Sequence, residues 1–236
     1  MTLKKGFLIN TIFFTVTKAI LIFSGGQDST TCLGWAKKRF DEIFAITFDY
    51  GQRHRVEIGQ AKKIASTLNV PIDVVDIRFY ADLIHSSLTG AGQIDAQHED
   101  NKDLPASFVP NRNGLFILLA HSFAQKKGIK TLIGGMCQTD YSGYPDCRES
   151  FTNGFSNALN LGSDQNIQLL TPLMHLTKAE TFQLAQKEGV LDLVINESHT
   201  CYNGKEQKHA WGKGCGDCPA CELRSKGYSE FLKMDD

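Results

Sequence analysis

Short apolar runs rich in strand formers alternate with amphipathic stretches along most of the chain. Lys18-Ala19-Ile20-Leu21-Ile22-Phe23 predicts a first strand, Ile43 to Phe48 a second, and Ile72 to Ile77 a third. Thr131 to Ile133 and Ile167 to Leu170 predict a fourth and a fifth. Helical spacings lie between them: Cys32, Leu33, Trp35 and Ala36 within Thr30 to Lys38, then Ile58, Ala61, Ile64, Ala65 and Leu68. An apolar stretch from about Leu115 to Lys127 stops at Gly128, and Phe151, Phe155, Ala158 and Leu159 mark a further helix. Thr177-Lys178-Ala179-Glu180 has the form of a capping box opening a helix to about Glu188, with Gly189 behind it. This alternation predicts an α/β fold: a doubly wound, mainly parallel sheet with helices on both faces. Ligands of such sheets bind beyond the carboxyl ends of the strands, where Ser24 and Asp49 fall. Ser86 to Ser107 shows no period and predicts a long loop.

Composition narrows the class. Of 236 residues, 42% are hydrophobic and 22% charged, the balance of a globular protein with a proper core. A formal net charge of −1 gives no electrostatic case for a nucleic-acid partner. Phe7 to Val16 imitates a signal peptide after two lysines, but Asn10, Thr11 and Thr15 interrupt it and Lys18 stops it short of a membrane span. The expectation is a cytoplasmic protein without a membrane partner, with residues 1–17 as an extension, 18–190 as the nucleotide-binding domain and 191–236 as a C-terminal segment packed on it.

Ser24-Gly25-Gly26-Gln27-Asp28-Ser29 sits between the first strand and the first helix. Adjacent glycines let a ligand approach the backbone, and free N–H groups at a helix N-terminus beside Ser24, Ser29 and Thr30 suit an anion. The loop lacks the Gly-Lys-Ser/Thr end of a Walker loop and the third glycine of a dinucleotide fingerprint.

Cys201 and Cys215-x-x-Cys218-x-x-Cys221 form the second constellation. Close thiolates with small turn residues between them suit tetrahedral zinc, and four sulfurs close its shell, which favours a structural site. An iron–sulfur cluster, a redox pair, free packing cysteines and substitution by His199 or His209 are the alternatives. The surrounding segment has little apolar content of its own, so a metal would hold it together.

The phosphate loop, Thr139 to Arg148 with its Gly143-Tyr144-Pro145-Asp146-Cys147-Arg148 run, the Asp49-Tyr50-Gly51-Gln52 segment and Thr200-Cys201-Tyr202-Asn203-Gly204 together resemble the 7-cyano-7-deazaguanine synthase (QueC) family of the ATP pyrophosphatase (PP-loop) superfamily, over about Lys18 to Tyr228. The resemblance implies a ligase that joins 7-carboxy-7-deazaguanine and ammonia with two ATP, releasing AMP and pyrophosphate, in queuosine biosynthesis. It implies one zinc ion per chain, ATP with Mg²⁺, and a homodimer. It implies an ATP site drawn from Phe23, Ser24, Gly25, Gly26, Gln27, Asp28, Ser29, Thr30, Thr31, Cys32, Leu33 and Asp49. Asp28 would orient the loop or Mg²⁺, Lys178 and Arg112 would meet charge on the pyrophosphate, and Asp140, Tyr144, Asp146 and Arg148 would form the deazaguanine pocket. Cys137 and Cys147 suggest sulfur transfer to tRNA as a second reading, and a sensor module without turnover is a third. The chain departs from the family at Asn111, where Pro-Gly-Arg-Asn is usual, and in the long Cys201–Cys215 gap, whose excess lies in Lys205 to Trp211.

Overall fold

The computed structural model describes residues 16–52, 56–89, 97, 102, 104–139 and 144–234. The apolar run Phe7 to Val16 therefore lies, but for its last residue, outside the described residues. The described residues form a five-stranded, all-parallel sheet in the order β3-β2-β1-β4-β5. Its strands are β1 (Lys18–Ile22), β2 (Glu42–Asp49), β3 (Ile72–Asp76), β4 (Thr131–Ile133) and β5 (Gln168–Leu170). The connecting helices are α1 (Gln27–Lys37), α2 (Val56–Thr67), α3 (Arg112–Lys127) and α4 (Glu149–Ser163). α5 (Lys178–Glu188) and α6 (Leu191–Asn196) follow β5.

Burial on both faces explains the unbroken apolar reading of β1. Ala19, Leu21 and Phe23 pack with Leu33, Ile64 and Ile133 on one face, while Ile20 packs with Ile46, Ala120, Ala124 and Leu132 on the other. This two-residue alternation divides one strand between two cores. Strand order reverses between β1 and β4, and the loops leaving their carboxyl ends part around a crevice.

The helices end as their sequences indicate. Thr177 Oγ1 accepts from Glu180 N–H and the Glu180 carboxylate accepts from Thr177 N–H, so both halves of the capping box are present. Gly128 and Gly189 close α3 and α5 in the left-handed conformation. At the start of α3 the residue replacing a family glycine, Asn111, itself adopts φ 53°. Asparagine tolerates that region better than other non-glycine side chains, so the turn forms here without a glycine.

Beyond α6 the structure departs from the sequence reading. The extra residues between Cys201 and Cys215 fold as a small hairpin, β6 (Lys208–His209) paired with β7 (Gly212–Lys213). α7 (Pro219–Phe231) then packs closely on α5: a Cβ at Gly227 would fall 2.6 Å from Lys178 Cβ. Phe182 of α5 meets Tyr228 edge-on at 5.3 Å and Phe231 at 5.9 Å. The C-terminal segment, with little apolar content of its own, is thus joined to α5 by a few aromatic contacts beside its four-cysteine cluster. Its apolar residues are too sparse to show helical periodicity, because one face of α7 meets α5 only at a few large side chains.

Candidate active site and metal centre

α1 starts three residues earlier than its apolar spacing suggests, at Gln27, so Asp28, Ser29 and Thr30 all lie in its first turn. Gly26 caps it through backbone conformation alone, with no side chain bonded as a cap. Gly25 is at φ 79°, and a Cβ there would fall 2.7 Å from Ala61 N in α2. Only glycine fits both the turn and the contact. Ser24 Oγ lies 3.1 Å from Ser29 Oγ and accepts from Gly26 N–H at 3.3 Å. The result is a turn edged with hydroxyls at an open helix N-terminus, an arrangement suited to anions.

Lys178 Nζ donates to both oxygens of Asp28 at 2.9 Å. These residues come from the first turns of α1 and α5, so the capping box that starts α5 also aims its lysine at the phosphate loop.

A cavity of about 250 Å³ opens beside the loop. Phe23, Ser24, Gly26, Asp28, Ser29, Arg112 and Tyr144 line it, as does Gly135 at the end of β4. Arg112 Nη1 donates to Tyr50 Oη at 3.4 Å, and the guanidinium stands 5.6 Å from the Tyr50 ring and 5.9 Å from the Phe116 ring. Other residues of the expected ATP set lie elsewhere. Gln27, Thr30, Thr31, Cys32 and Leu33 are buried beneath the turn, with Thr31 Oγ1 donating to Gln27 O at 3.0 Å. Burial pushes the Cys32 thiol well up. Asp49 turns its carboxylate to Gly51 N–H at 3.3 Å, at the strand end but away from the cavity lining.

The expected deazaguanine pocket is only partly assembled. Tyr144 lines the cavity and shares a 2.8 Å hydrogen bond with Ser107 Oγ. Asp146 lies outside the lining: its carboxylate accepts from Asn113 N–H at 2.9 Å and so serves the start of α3, and burial raises its pKa. Arg148 is exposed at the N-terminus of α4. Asp140 lies outside the described residues. A short run in sequence does not share one direction once a 3-10 turn, Pro145–Cys147, rotates successive side chains.

Glu57, Tyr50, Gln52, His199, Thr200 and Tyr202 line the same cavity and were not singled out in sequence as site residues. The signal for Glu57 was weak, because an acid in the first turn of a helix ordinarily reads as a dipole partner. Here burial pushes its carboxyl up to about 7, against the pull of Arg112 and with a further push from Cys201. His199 is fully buried, and burial lowers its pKa.

The metal centre is compact. Cys201, Cys215, Cys218 and Cys221 bring their sulfurs within 4.8 Å of one another, and Cys215 Sγ lies 3.8 Å from Cys221 Sγ. A tetrahedral zinc with Zn–S of about 2.3 Å has sulfur–sulfur edges of about 3.8 Å. Cys215 Sγ accepts from Cys218 N–H at 3.3 Å and from Asn203 Nδ2 at 3.5 Å, partners that would orient the ligand from outside. Hydrogen bonds from Cys218 and Cys221 pull the Cys201 thiol down while the Cys221 thiol is pushed up. Four sulfurs this close ionise together only around a cation, so the donor set fits zinc. His209 is not a competitor: it stacks on Trp211 at 4.4 Å and hydrogen-bonds Gly214 O.

Parallel strands in this order, with a Ser-Gly-Gly-x-Asp-Ser turn at the open end of α1, define a PP-loop nucleotide-binding enzyme of the ATP pyrophosphatase type. Solved structures with the same fold include a 4-thiouridine synthetase bound to RNA and ATP (TM-score 0.50, 16% identity, 90% of this chain and 53% of that one). The NMN synthetase of Francisella tularensis is another (TM-score 0.50, 13% identity, 94% and 88%). The chain belongs to the QueC family, described as "Queuosine biosynthesis protein QueC", which it matches over residues 18–232. Relatives named 7-cyano-7-deazaguanine synthase are 54% identical in Helicobacter pylori strain Shi470, over 89% of this chain and 94% of that one. They are 52% identical in Wolinella succinogenes (90% and 93%) and 44% in Caulobacter vibrioides (90% and 93%).

Proposed function

We propose that the protein converts 7-carboxy-7-deazaguanine and ammonia to the 7-cyano base by adenylating first the carboxylate and then the resulting amide, releasing AMP and pyrophosphate each time. The observation that carries this reading is the N-terminus of α1, capped by Gly26 without a side-chain bond and edged by Ser24 and Ser29, opening on the same cavity as Arg112 and Tyr144. A carboxylate is a poor electrophile, and adenylation gives it a good leaving group. One phosphate loop serves both activations.

The turn Ser24–Gly26 and the N–H groups of α1 hold the phosphates. Lys178 is already oriented on the loop by Asp28, and as charge grows on the departing pyrophosphate it offers a fixed cation in a partly buried site. Asp28, whose two oxygens hold that lysine, orients the loop beside the phosphates. Arg112, braced by Tyr50 and Phe116, is placed to receive the substrate's carboxylate, a role the exposed Arg148 is poorly sited to fill. Tyr144 offers an aromatic face to the base. Zinc, when bound, supplies structural cross-linking at the four cysteines.

No helix among the described residues is long and apolar enough to cross a membrane. A cytoplasmic homodimer acting on small molecules is the setting that the reading implies.

The test is purified protein with ATP, Mg²⁺, ammonium and 7-carboxy-7-deazaguanine, followed by mass spectrometry. Nitrile together with AMP is the expected result. AMP without any deazapurine product would retain adenylation and discard the substrate. Absence of both would discard the reading.

A further inference from the structure

Each hydroxyl at the phosphate loop has one hydrogen to give and two lone pairs to offer. Ser29 Oγ gives its hydrogen to Gly26 O at 3.2 Å, since a carbonyl only accepts. Ser24 Oγ is therefore the donor across its 3.1 Å pair with Ser29, and its hydrogen is committed too. Thr30 Oγ1 is sealed beneath the turn. Thr200 differs. Its Oγ1 lies 3.0 Å from Arg224 Nη1 and 3.4 Å from Gln27 N, and both of these partners can only donate. Both lone pairs are taken, and no described residue receives the hydroxyl hydrogen. Thr200 lines the cavity, and its oxygen borders the space in front of Gly26. A Cβ at Gly26 would fall 3.4 Å from Ser24 Oγ, 3.5 Å from His199 O and 3.9 Å from Thr200 Oγ1. Of these three oxygens, Thr200 alone has a hydrogen to present. The buried guanidinium of Arg224 draws electron density from Oγ1, which strengthens the O–H as a donor.

Resting on the ligase reading above, we propose that Thr200 is a ligand of the phosphate chain: its hydroxyl donates to an oxygen of the two phosphates that leave as pyrophosphate. The serines of the turn are the obvious hydroxyl donors in sequence, but in the folded loop their hydrogens hold the turn closed. The C-terminal segment supplies the donor instead. Thr200 is well fixed for this. Its branched Cβ restricts χ1, and the preceding residue is tied to the loop by His199 N–H donating to Gly25 O at 3.1 Å. The residue that follows, Cys201, belongs to the four-sulfur cluster. A donor held this way needs no rearrangement when the phosphates arrive. Being neutral, it adds a bond to the phosphate chain and leaves the offsetting charge to Lys178.

The test is calorimetric titration of the full, zinc-loaded chain with inorganic pyrophosphate and Mg²⁺, for the parent, Thr200→Val and Thr200→Ser, with AMP as a second probe. Valine keeps the shape of the side chain and removes the hydroxyl, whereas serine keeps the hydroxyl. Pyrophosphate should bind roughly 10- to 100-fold more weakly to Thr200→Val, the scale of losing a hydrogen bond to a charged group. It should bind Thr200→Ser within about threefold of the parent, and AMP should bind both variants within the same margin. Unchanged pyrophosphate affinity in Thr200→Val would overturn the proposal. So would equal losses for AMP and pyrophosphate, which would mean that the whole loop had moved, and so would a serine variant as weak as the valine one. Threonine methyl NMR of the parent gives a measure that needs no stable valine variant, with Thr200→Ser assigning the signal. The Thr200 methyl signal should shift on adding pyrophosphate, and an unmoved signal counts against the proposal. A parent protein that binds neither pyrophosphate nor a non-hydrolysable ATP analogue would sink the ligase reading, and this proposal with it.

Discussion

Arg224 Nη1 donates to Thr200 Oγ1 at 3.0 Å, and that same oxygen faces Gln27 N, the first residue of α1, at 3.4 Å. The buried guanidinium also donates from Nε to Trp211 O at 3.0 Å and from Nη2 to Val194 O at 2.6 Å. His199 N–H adds a bond to Gly25 O at 3.1 Å. The metal segment is therefore fastened directly to the phosphate loop. Replacing Arg224 by Lys keeps the charge but not the fork, and should cost roughly 2–5 kcal/mol of stability. Urea unfolding measures this, and a cost below about 1 kcal/mol would show the fork to be dispensable.

Metal removal should travel along the same route. Chelation is expected to loosen residues 199–218 and to weaken ATP binding, although no cysteine of the cluster except Cys201 lines the cavity. Hydrogen exchange and calorimetric titration with a non-hydrolysable ATP analogue report the two effects. Unchanged nucleotide affinity in the apo protein would separate the centres.

Lys178→Ala removes the cation aimed at the loop. Turnover should fall by roughly 10²–10³-fold, the scale of losing a preorganised charge at the reacting group. Steady-state AMP release is the measurement, and Lys178→Arg should recover little because the guanidinium fork fits the Asp28 geometry differently.

Glu57 also makes stability depend on pH. Its folded pKa, about 7, lies above the ordinary glutamate value of 4.5, so the folded state binds the proton more tightly. The resulting stabilisation is full below pH 4.5 and is lost as pH rises through 7. Glu57→Gln should therefore raise stability at pH 8 relative to the parent by up to about 3 kcal/mol, with no such gain at the acid end of the window. Thermal unfolding of both proteins across that range is the check.

At Asn111 the left-handed backbone sets the tolerance. Asn111→Gly should change stability by less than about 1 kcal/mol, and Asn111→Ala should cost about 1–2 kcal/mol. Equal effects of the two substitutions would remove backbone conformation as the reason for asparagine there.

Local chemistry was legible in the sequence wherever neighbours in the chain sufficed. β1 and its glycine turn, the capping box at Thr177 and Glu180, the stops at Gly128 and Gly189, and the Cys215, Cys218 and Cys221 run each depend on residues within one turn, one strand or one set of close spacings. The alternation of strands and helices also determined the parallel sheet, since short crossovers leave few other solutions. Tertiary structure decided which side chains converge. Lys178 reaches Asp28 from across the chain, Arg224 joins the metal segment to α1, and Asp146 turns to α3 while Tyr144 faces the cavity. Glu57 acquired its character the same way. An acid in a first helical turn is ordinary in sequence, and its desolvation beside Arg112 and Cys201 exists only after distant segments have packed around it.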